Sequence, residues 1–258
     1  MTSSPLTSII TGAARGIGLE IAKGLYDLGH NLVLNDVDDQ ELELCIQNRF
    51  AGDFSRVAIV AGNIKSIEVI KSLINIAYDR FGQLNYVVAN AGVTSFNSFI
   101  QCTEDQYDQV MDTNLKATFF LVQAAVKSFE DQNITTEKAI LLMSSVTGFQ
   151  AHGQLTAYAM SKAALAMMAK NLVAELSPLG IRINAIAPGA TLTERTSNDE
   201  YIETWSKLTP LGRPAHTKQI ADAALFLLSE KASHITGQTL IIDGGWTSMS
   251  PQPPMEIS

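Results

Sequence analysis

Seven short runs rich in apolar and β-branched residues recur along this 258-residue chain, at residues 6–11, 31–35, 57–60, 85–89, 139–143, 182–187 and 239–242. Helix-period patterns lie between them, at 17–28, 40–50, 67–81, 105–129, 157–176 and 217–228. A strand, a helix and a further parallel strand must cross over one face of a sheet. The alternation therefore predicts an α/β fold: a doubly wound, seven-stranded parallel sheet with helices on both faces. Apolar residues make up 46% of the chain, enough to bury such a sheet on both sides. No linker-like stretch interrupts the rhythm, so a single domain over residues 1–258 is expected. One long segment without periodicity, 190–215, reads as an irregular loop and a lid over a substrate. Residues 248–258 contain three prolines and read as an extended tail.

The first apolar run opens into Thr11-Gly12-Ala13-Ala14-Arg15-Gly16-Ile17-Gly18, followed at once by a helical pattern. Strand, glycine turn and helix form the context in which such a loop binds a dinucleotide. Gly12 would make the sharp turn. Gly16 and Gly18 would let backbone, helix and ligand approach where a Cβ would clash. The helix N-terminus then offers N–H groups and a positive dipole end to a pyrophosphate. The spacing is Gly-x-x-x-Gly-x-Gly, and an ordinary strand-to-helix turn remains an alternative. Asp36 closes the second run. There a carboxylate can accept both ribose hydroxyls of NAD and would repel the 2′-phosphate of NADP. Arg15 is a counter-signal, because a cation in the glycine turn assists NADP. No Arg or Lys follows Asp36 to complete such a site, and the repulsive carboxylate is weighted more heavily.

Tyr158-Ala159-Met160-Ser161-Lys162 places a phenol and an ammonium one helical turn apart, on the same face. A phenol titrates near pH ~10 and is a poor base at neutrality. A neighbouring lysine would favour the phenolate, lower that pKa and make a usable proton donor and acceptor for an alcohol or carbonyl. Alone, such a pair also arises by chance in many helices.

Read together, these motifs resemble the short-chain dehydrogenase/reductase family, over residues 6–246. The order of further motifs carries the resemblance: Ala89-Asn90-Ala91-Gly92, Asn114, Ser144-Ser145, Pro188-Gly189 with Thr193, and Asp243-Gly244-Gly245. It implies a Rossmann fold and a catalytic set of Asn114, Ser145, Tyr158 and Lys162. Tyr158 would be general acid and base, Lys162 would also hold the nicotinamide ribose, and Ser145 would steady charge on the substrate oxygen. Ser144 is the competing assignment. Asn114, a poor helix former inside a helical pattern, would bend the helix and hold a relay water. For the cofactor the resemblance implies Gly12, Arg15, Gly16, Ile17, Gly18, Asp36, Asn63, Ile64, Asn90, Ala91, Gly92, Tyr158, Lys162, Pro188, Gly189, Thr191 and Thr193. Thr193 and the Thr191 backbone would anchor the nicotinamide carboxamide; Gly92 could alternatively be an ordinary turn glycine. Two departures stand out: the usual Asn-Asn-Ala-Gly begins here with Ala89, and Asn63 replaces an aspartate that commonly contacts adenine.

A net charge of −8 argues against nucleic acid or an anionic membrane as partner. Cys45 and Cys102 are too few for a disulfide framework, and the four histidines lack metal-ligand spacing, so no metal is expected. Two reduced cysteines and no leader pattern point to the cytoplasm. The leading expectation is an NAD-dependent dehydrogenase of a small secondary alcohol or its ketone, such as a sugar or polyol. His152, Gln154 and Arg195 would then form a polar substrate wall. The alternatives are an NADPH-dependent reductase of 3-oxoacyl thioesters on an acyl carrier protein, and a Rossmann-fold binding protein without catalysis. The resemblance also implies a homotetramer, in keeping with helices at 105–129 and 157–176 that are apolar on more than one face.

Overall fold

The computed structural model describes residues 5–131 and 137–249. Its main sheet has seven strands, all parallel. They are β1 (Thr7–Thr11), β2 (Asn31–Asp36), β3 (Val57–Ala61), β4 (Tyr86–Ala89), β5 (Lys138–Met143), β6 (Ile181–Pro188) and β9 (Thr239–Ile242). The spatial order is β3-β2-β1-β4-β5-β6-β9. The chain winds outward in one direction from β1 to β3, then returns to β4 on the other side of β1. This reversal leaves a crevice outside the carboxyl ends of β1 and β4, where ligands of open α/β sheets bind.

Period-two alternation explains why the strands read as unbroken apolar runs. Ile9, Val33, Val87, Ile140 and Leu142 face one core, with Leu73, Leu121 and Leu165 from helices α3 (Ile67–Phe81), α5 (Ala117–Asp131) and α6 (Thr156–Asn171). Ile10, Leu32, Leu34, Val88 and Leu141 face the other, against Ile21, Ile46 and Ala224 of α1 (Gly16–Asp27), α2 (Asp39–Arg49) and α9 (Thr217–Leu228). Every strand residue of the inner sheet thus meets a helix layer, which favours Val, Ile and Leu at consecutive positions.

Three helical expectations need correction. The single helix expected over 105–129 is α4 (Glu104–Met111), a π-helical turn (Asp112–Lys116) and α5. The π turn contains Asn114, and its extra residue is marked by the Ala117 N–H donating to the Asp112 carbonyl. The pattern over 157–176 divides into α6 and the single turn α7 (Val173–Leu176). The segment 190–215 is not irregular. It holds β7 (Thr191–Leu192), α8 (Asp199–Leu208) and β8 (Ala215–His216), with β7 and β8 paired in a small sheet of their own. Asn198 starts α8 by accepting from the Tyr201 N–H at 2.8 Å. Of the expected tail, residues 250–258 lie outside the described residues, while Ser248 ends a short 3₁₀ turn from Trp246.

At the opposite end of the sheet from the crevice, His30 is buried with its Nδ1 3.0 Å from Ser8 Oγ and its ring 5.2 Å from Tyr86. Burial, and then the nearby Arg56 cation, push its pKa down to about 4. The unfolded chain therefore binds more protons than the native state between about pH 4 and the ordinary histidine value. Stability from this group is complete above about 6.5 and is lost as pH falls toward 4, by about 3 kcal/mol. His30→Gln removes the titration, so its melting temperature should decline less than that of the unmodified protein between pH 6.5 and 4. Parallel declines would show that His30 does not govern acid lability.

Candidate active site

The crevice is a cleft of about 520 Å³ whose floor is the glycine turn after β1. Gly12 and Gly16 both have positive φ, +64° and +58°, which an L side chain resists. Gly18 is required for another reason: a Cβ there would lie 2.2 Å from the Gly12 carbonyl oxygen. The turn is braced by Asn90, whose Nδ2 donates to the carbonyls of Thr11 and Gly12, each at 2.9 Å. Thr11 Oγ1 accepts in return from the N–H groups of Asn90 and Ala91. Asn90 and Ala91 thus hold the loop while also lining the cleft.

Helices α2, α3, α4 and α8 each begin under a side-chain cap, from Asp38, Ser66, Thr103 and Asn198. Helix α1 begins at Arg15 with no side-chain cap and no acid in its first turn. Its N-terminus opens into the cleft, where Gly16, Ile17 and Gly18 are lining residues. An uncapped helix start with a positive dipole end suits an anion such as a pyrophosphate. Asp36 stands at the same end. Its Oδ2 accepts from the Ala14 N–H at 3.1 Å and its Oδ1 from the Val37 N–H at 2.8 Å. The carboxylate is thereby oriented, and its remaining lone pairs can accept ribose hydroxyls. Arg15 is not free, because its guanidinium pairs with Glu41 of α2. Asn63 closes its own turn by accepting from the Lys65 N–H at 3.0 Å, and it lines the cleft with Ile64. These residues fit a nicotinamide dinucleotide.

Deeper in, Lys162 is buried on α6. Its Nζ donates to the Met143 carbonyl at 2.7 Å and lies 5.4 Å from the centroid of the Tyr158 ring. Burial pushes Lys162 down to about 8. Burial also raises the Tyr158 phenol above its ordinary value, while hydrogen bonding from the hydroxyls of Ser145 and Thr94 pulls it back. The expectation that Lys162 depresses this phenol is corrected on that point: desolvation dominates, and the groups opposing it are the two hydroxyls. Ser145 caps the 3₁₀ turn Val146–Gly148 through the Thr147 N–H at 3.3 Å, so it serves the backbone as well as facing Tyr158. Ser144, the rival assignment, donates its hydroxyl to the Lys162 carbonyl at 2.8 Å, whereas Ser145 faces the Tyr158 phenol.

Asn114 is fully buried. Its Oδ1 accepts from the Val93 N–H at 2.8 Å, and its Nδ2 donates to the Val93 carbonyl at 3.0 Å and to Ser161 Oγ at 3.2 Å. The side chain fastens the strand-like segment after β4 to α6, and so sets Thr94 against the Tyr158 phenol. Gly92 is more than a turn residue, since a Cβ there would meet Asn114 Oδ1 at 3.2 Å and Lys162 Nζ at 3.4 Å.

Beyond Pro188, the last residue of β6, Gly189 packs against Asp243 so closely that a Cβ would lie 2.7 Å from the aspartate Cβ. The Thr191 N–H, expected to serve a carboxamide, already donates to the Tyr201 phenol oxygen of α8 at 3.2 Å. Thr193 lines the cleft, and its N–H donates to Thr196 Oγ1 at 2.9 Å.

The three residues of the expected polar wall do not come together. Arg195 lines the dinucleotide cleft. His152 is exposed, with its ring edge-on to Phe96 and its Nδ1 2.9 Å from the Gly153 carbonyl. Gln154, at φ +64°, lines a second cavity of about 400 Å³, whose surface is mostly apolar and includes Phe99, Tyr107, Ala157 and Met160. The chain order of these three residues carried no information on which cavity each would reach. Thr94, Glu41 and Tyr201 were not singled out by any spacing. Glu41 in particular reads as one more acid in a helical first turn.

The family described as enoyl-(acyl carrier protein) reductase has a sequence model that matches residues 12–247. The chain belongs to this family of short-chain dehydrogenases/reductases. Membership makes it an oxidoreductase of the nicotinamide-binding class. Among curated relatives of this short-chain dehydrogenase/reductase, the 3-oxoacyl-[acyl-carrier-protein] reductase FabG of Staphylococcus aureus strain Mu50 is 34% identical over 242 residues, covering 93% of this chain and 97% of the relative. The protein of the same name from Rickettsia bellii is 33% identical over 241 residues, covering 93% and 95%. Among solved structures, a putative gluconate dehydrogenase from Agrobacterium tumefaciens superposes with a TM-score of 0.87 at 25% identity, covering 95% of this chain and 97% of that one. A glucose/ribitol dehydrogenase-type member from Brucella melitensis superposes with a TM-score of 0.87 at 28% identity, covering 93% and 96%. Among the described residues no cluster could hold a metal ion, and no helix is long and apolar enough to cross a membrane.

Proposed function

We propose that this chain reduces the 3-oxo group of an acyl thioester, with a hydride from NADH. One observation carries the reading: Thr94, whose hydroxyl is hydrogen-bonded to the Tyr158 phenol, brings the proton donor beside the boundary of the two cavities. Thr94 lines the dinucleotide cleft, and Ser95, next in the chain, lines the mostly apolar second cavity beside Ala157. The second cavity also carries Asn97, Glu104 and Gln106, but its exposed surface is mostly apolar, which suits an acyl chain better than a hydroxyl-rich sugar. The likeness to 3-oxoacyl-[acyl-carrier-protein] reductases over 93% of the chain favours the same substrate class.

A bound reduced nicotinamide supplies the hydride. The chain supplies the rest. Ser145 donates a hydrogen bond to the 3-oxo oxygen, where negative charge develops. Tyr158 delivers the proton to that oxygen as it becomes a hydroxyl. Because burial holds the phenol above its ordinary pKa, Tyr158 remains protonated at neutral pH, the state that reduction needs. Lys162, charged below about 8, holds the ribose beside it. Asn114 is a positioning residue that keeps the Val93–Thr94 backbone in register with Tyr158. Asp36, oriented by two backbone N–H groups, supports NAD(H) over NADP(H). The segment 190–215 acts as the lid. Exposed Phe119, Met160 and Met167 on α5 and α6 support assembly into a homotetramer.

A second reading, oxidation of a sugar or polyol, draws on the two superposed structures. Loss of absorbance at 340 nm should appear with NADH and a 3-oxoacyl thioester. If NADH with thioesters is inert while NAD with a sugar or polyol is turned over, the second reading replaces the first. Retention of Tyr158, Lys162 and Ser145 in one site speaks against a protein that only binds.

A further inference from the structure

The adenosine end of the cleft carries a charge arrangement that Asp36 alone does not explain. Arg15 sits one residue beyond Ala14, whose N–H holds the Asp36 carboxylate. A guanidinium there would be a ready donor to a 2′-phosphate, since its planar fork suits phosphate oxygens. Glu41 claims it instead. Glu41 lies in the first turn of α2, where Asp38 Oδ1 accepts from its N–H at 3.0 Å, and its carboxylate reaches across to Arg15. Both partners are about one-third exposed, at 38% and 33%. Ion pairs this wet contribute little to folding stability. The pair therefore lacks a strong structural reason, and its consequence falls on the ligand.

We propose that Glu41 is a cofactor-selectivity residue that acts through Arg15, holding the guanidinium off the site a 2′-phosphate would occupy. The inference rests on the reading that this cleft holds a nicotinamide dinucleotide with its adenosine ribose at Asp36. Selectivity then has two separable parts. Asp36 repels the phosphate directly, and Glu41 withholds the only cation of the glycine turn that could compensate. This explains how an arginine typical of a 2′-phosphate site can coexist with an aspartate that opposes one. Lys65 and Arg195 also line the cleft, but neither belongs to the turn that carries the Asp36 contact.

Calorimetric titration with adenosine 5′-monophosphate and adenosine 2′,5′-bisphosphate tests this without catalysis. The bisphosphate should bind the Asp36→Ala/Glu41→Gln protein roughly tenfold tighter than Asp36→Ala alone, the scale of a gained charge-assisted contact. Affinity for the monophosphate should agree within about twofold between those two proteins, since it lacks the group Arg15 would meet. Adding Arg15→Ala should erase the gain. No gain from Glu41→Gln, with monophosphate binding intact, would overturn the inference while leaving the dinucleotide reading in place. A gain that survives Arg15→Ala would overturn it equally. Failure of the unmodified protein to bind the monophosphate would overturn the dinucleotide reading and this inference with it.

Discussion

Tyr158→Phe is expected to lower turnover by ~10²–10⁴-fold while leaving the fold and dinucleotide affinity near those of the unmodified protein, because it removes the proton-donating hydroxyl and keeps the ring. The phenol ring lies beside Lys162 and between two hydroxyl partners, so the phenyl ring occupies the same space. Ser145 and Thr94 lose a partner in the variant, yet Ser145 keeps its bonds to Thr147. A melting temperature and a dinucleotide titration separate chemistry from structure: both should hold while the 340 nm rate collapses. A variant with near-normal turnover would move the proton transfer to another group. In the unmodified enzyme the rate of reduction should be level through neutrality and fall as pH rises through about 8, where Lys162 gives up its charge.

Replacing Asp36 with alanine is expected to have the second largest effect. The unmodified protein should prefer NADH over NADPH by at least ~100-fold in kcat/KM, equivalent to about 2.7 kcal/mol. Asp36→Ala should erase most of this preference by two routes: NADH loses an acceptor for its ribose hydroxyls, and NADPH loses a repulsive neighbour. Its rates with the two cofactors, measured at equal thioester concentration, check the claim. Equal use of both cofactors by the unmodified protein would contradict it, as would an Asp36→Ala variant that gains nothing with NADPH.

The sheet was legible because every inner strand is buried on both faces. Residues such as Ile9 and Ile10 enter opposite cores, and the apolar run cannot then be mistaken for a half-exposed strand. The glycine turn and the Tyr158–Lys162 spacing were legible because both are local: the turn needs its positive φ at Gly12 and Gly16, and one helical turn brings Tyr158 beside Lys162. What joins distant segments was not. Thr94 reaches Tyr158 only because Asn114 ties Val93 to α6, a link between residues far apart in the chain. Helix α8 was missed because it falls outside the strand-helix repeat, its Trp205 meeting Trp246 of the turn after β9. The polar wall failed for a similar reason. His152, Gln154 and Arg195 look alike in chemistry, but backbone geometry sends them to three different surroundings.

The way α8 is held has a practical consequence. The chain has only two tryptophans. Trp205 lies on α8 and Trp246 on the turn after β9, and their rings meet edge to face with centroids 5.3 Å apart. Tyr201 of the same helix lies 6.1 Å from Trp205 and accepts a hydrogen bond from the Thr191 N–H. All of the indole emission of this protein therefore arises at the single contact between α8 and the turn after β9. Ultraviolet emission, read without any attached dye, becomes a native gauge of whether that contact changes, and it can be followed on the timescale of mixing as ligands arrive.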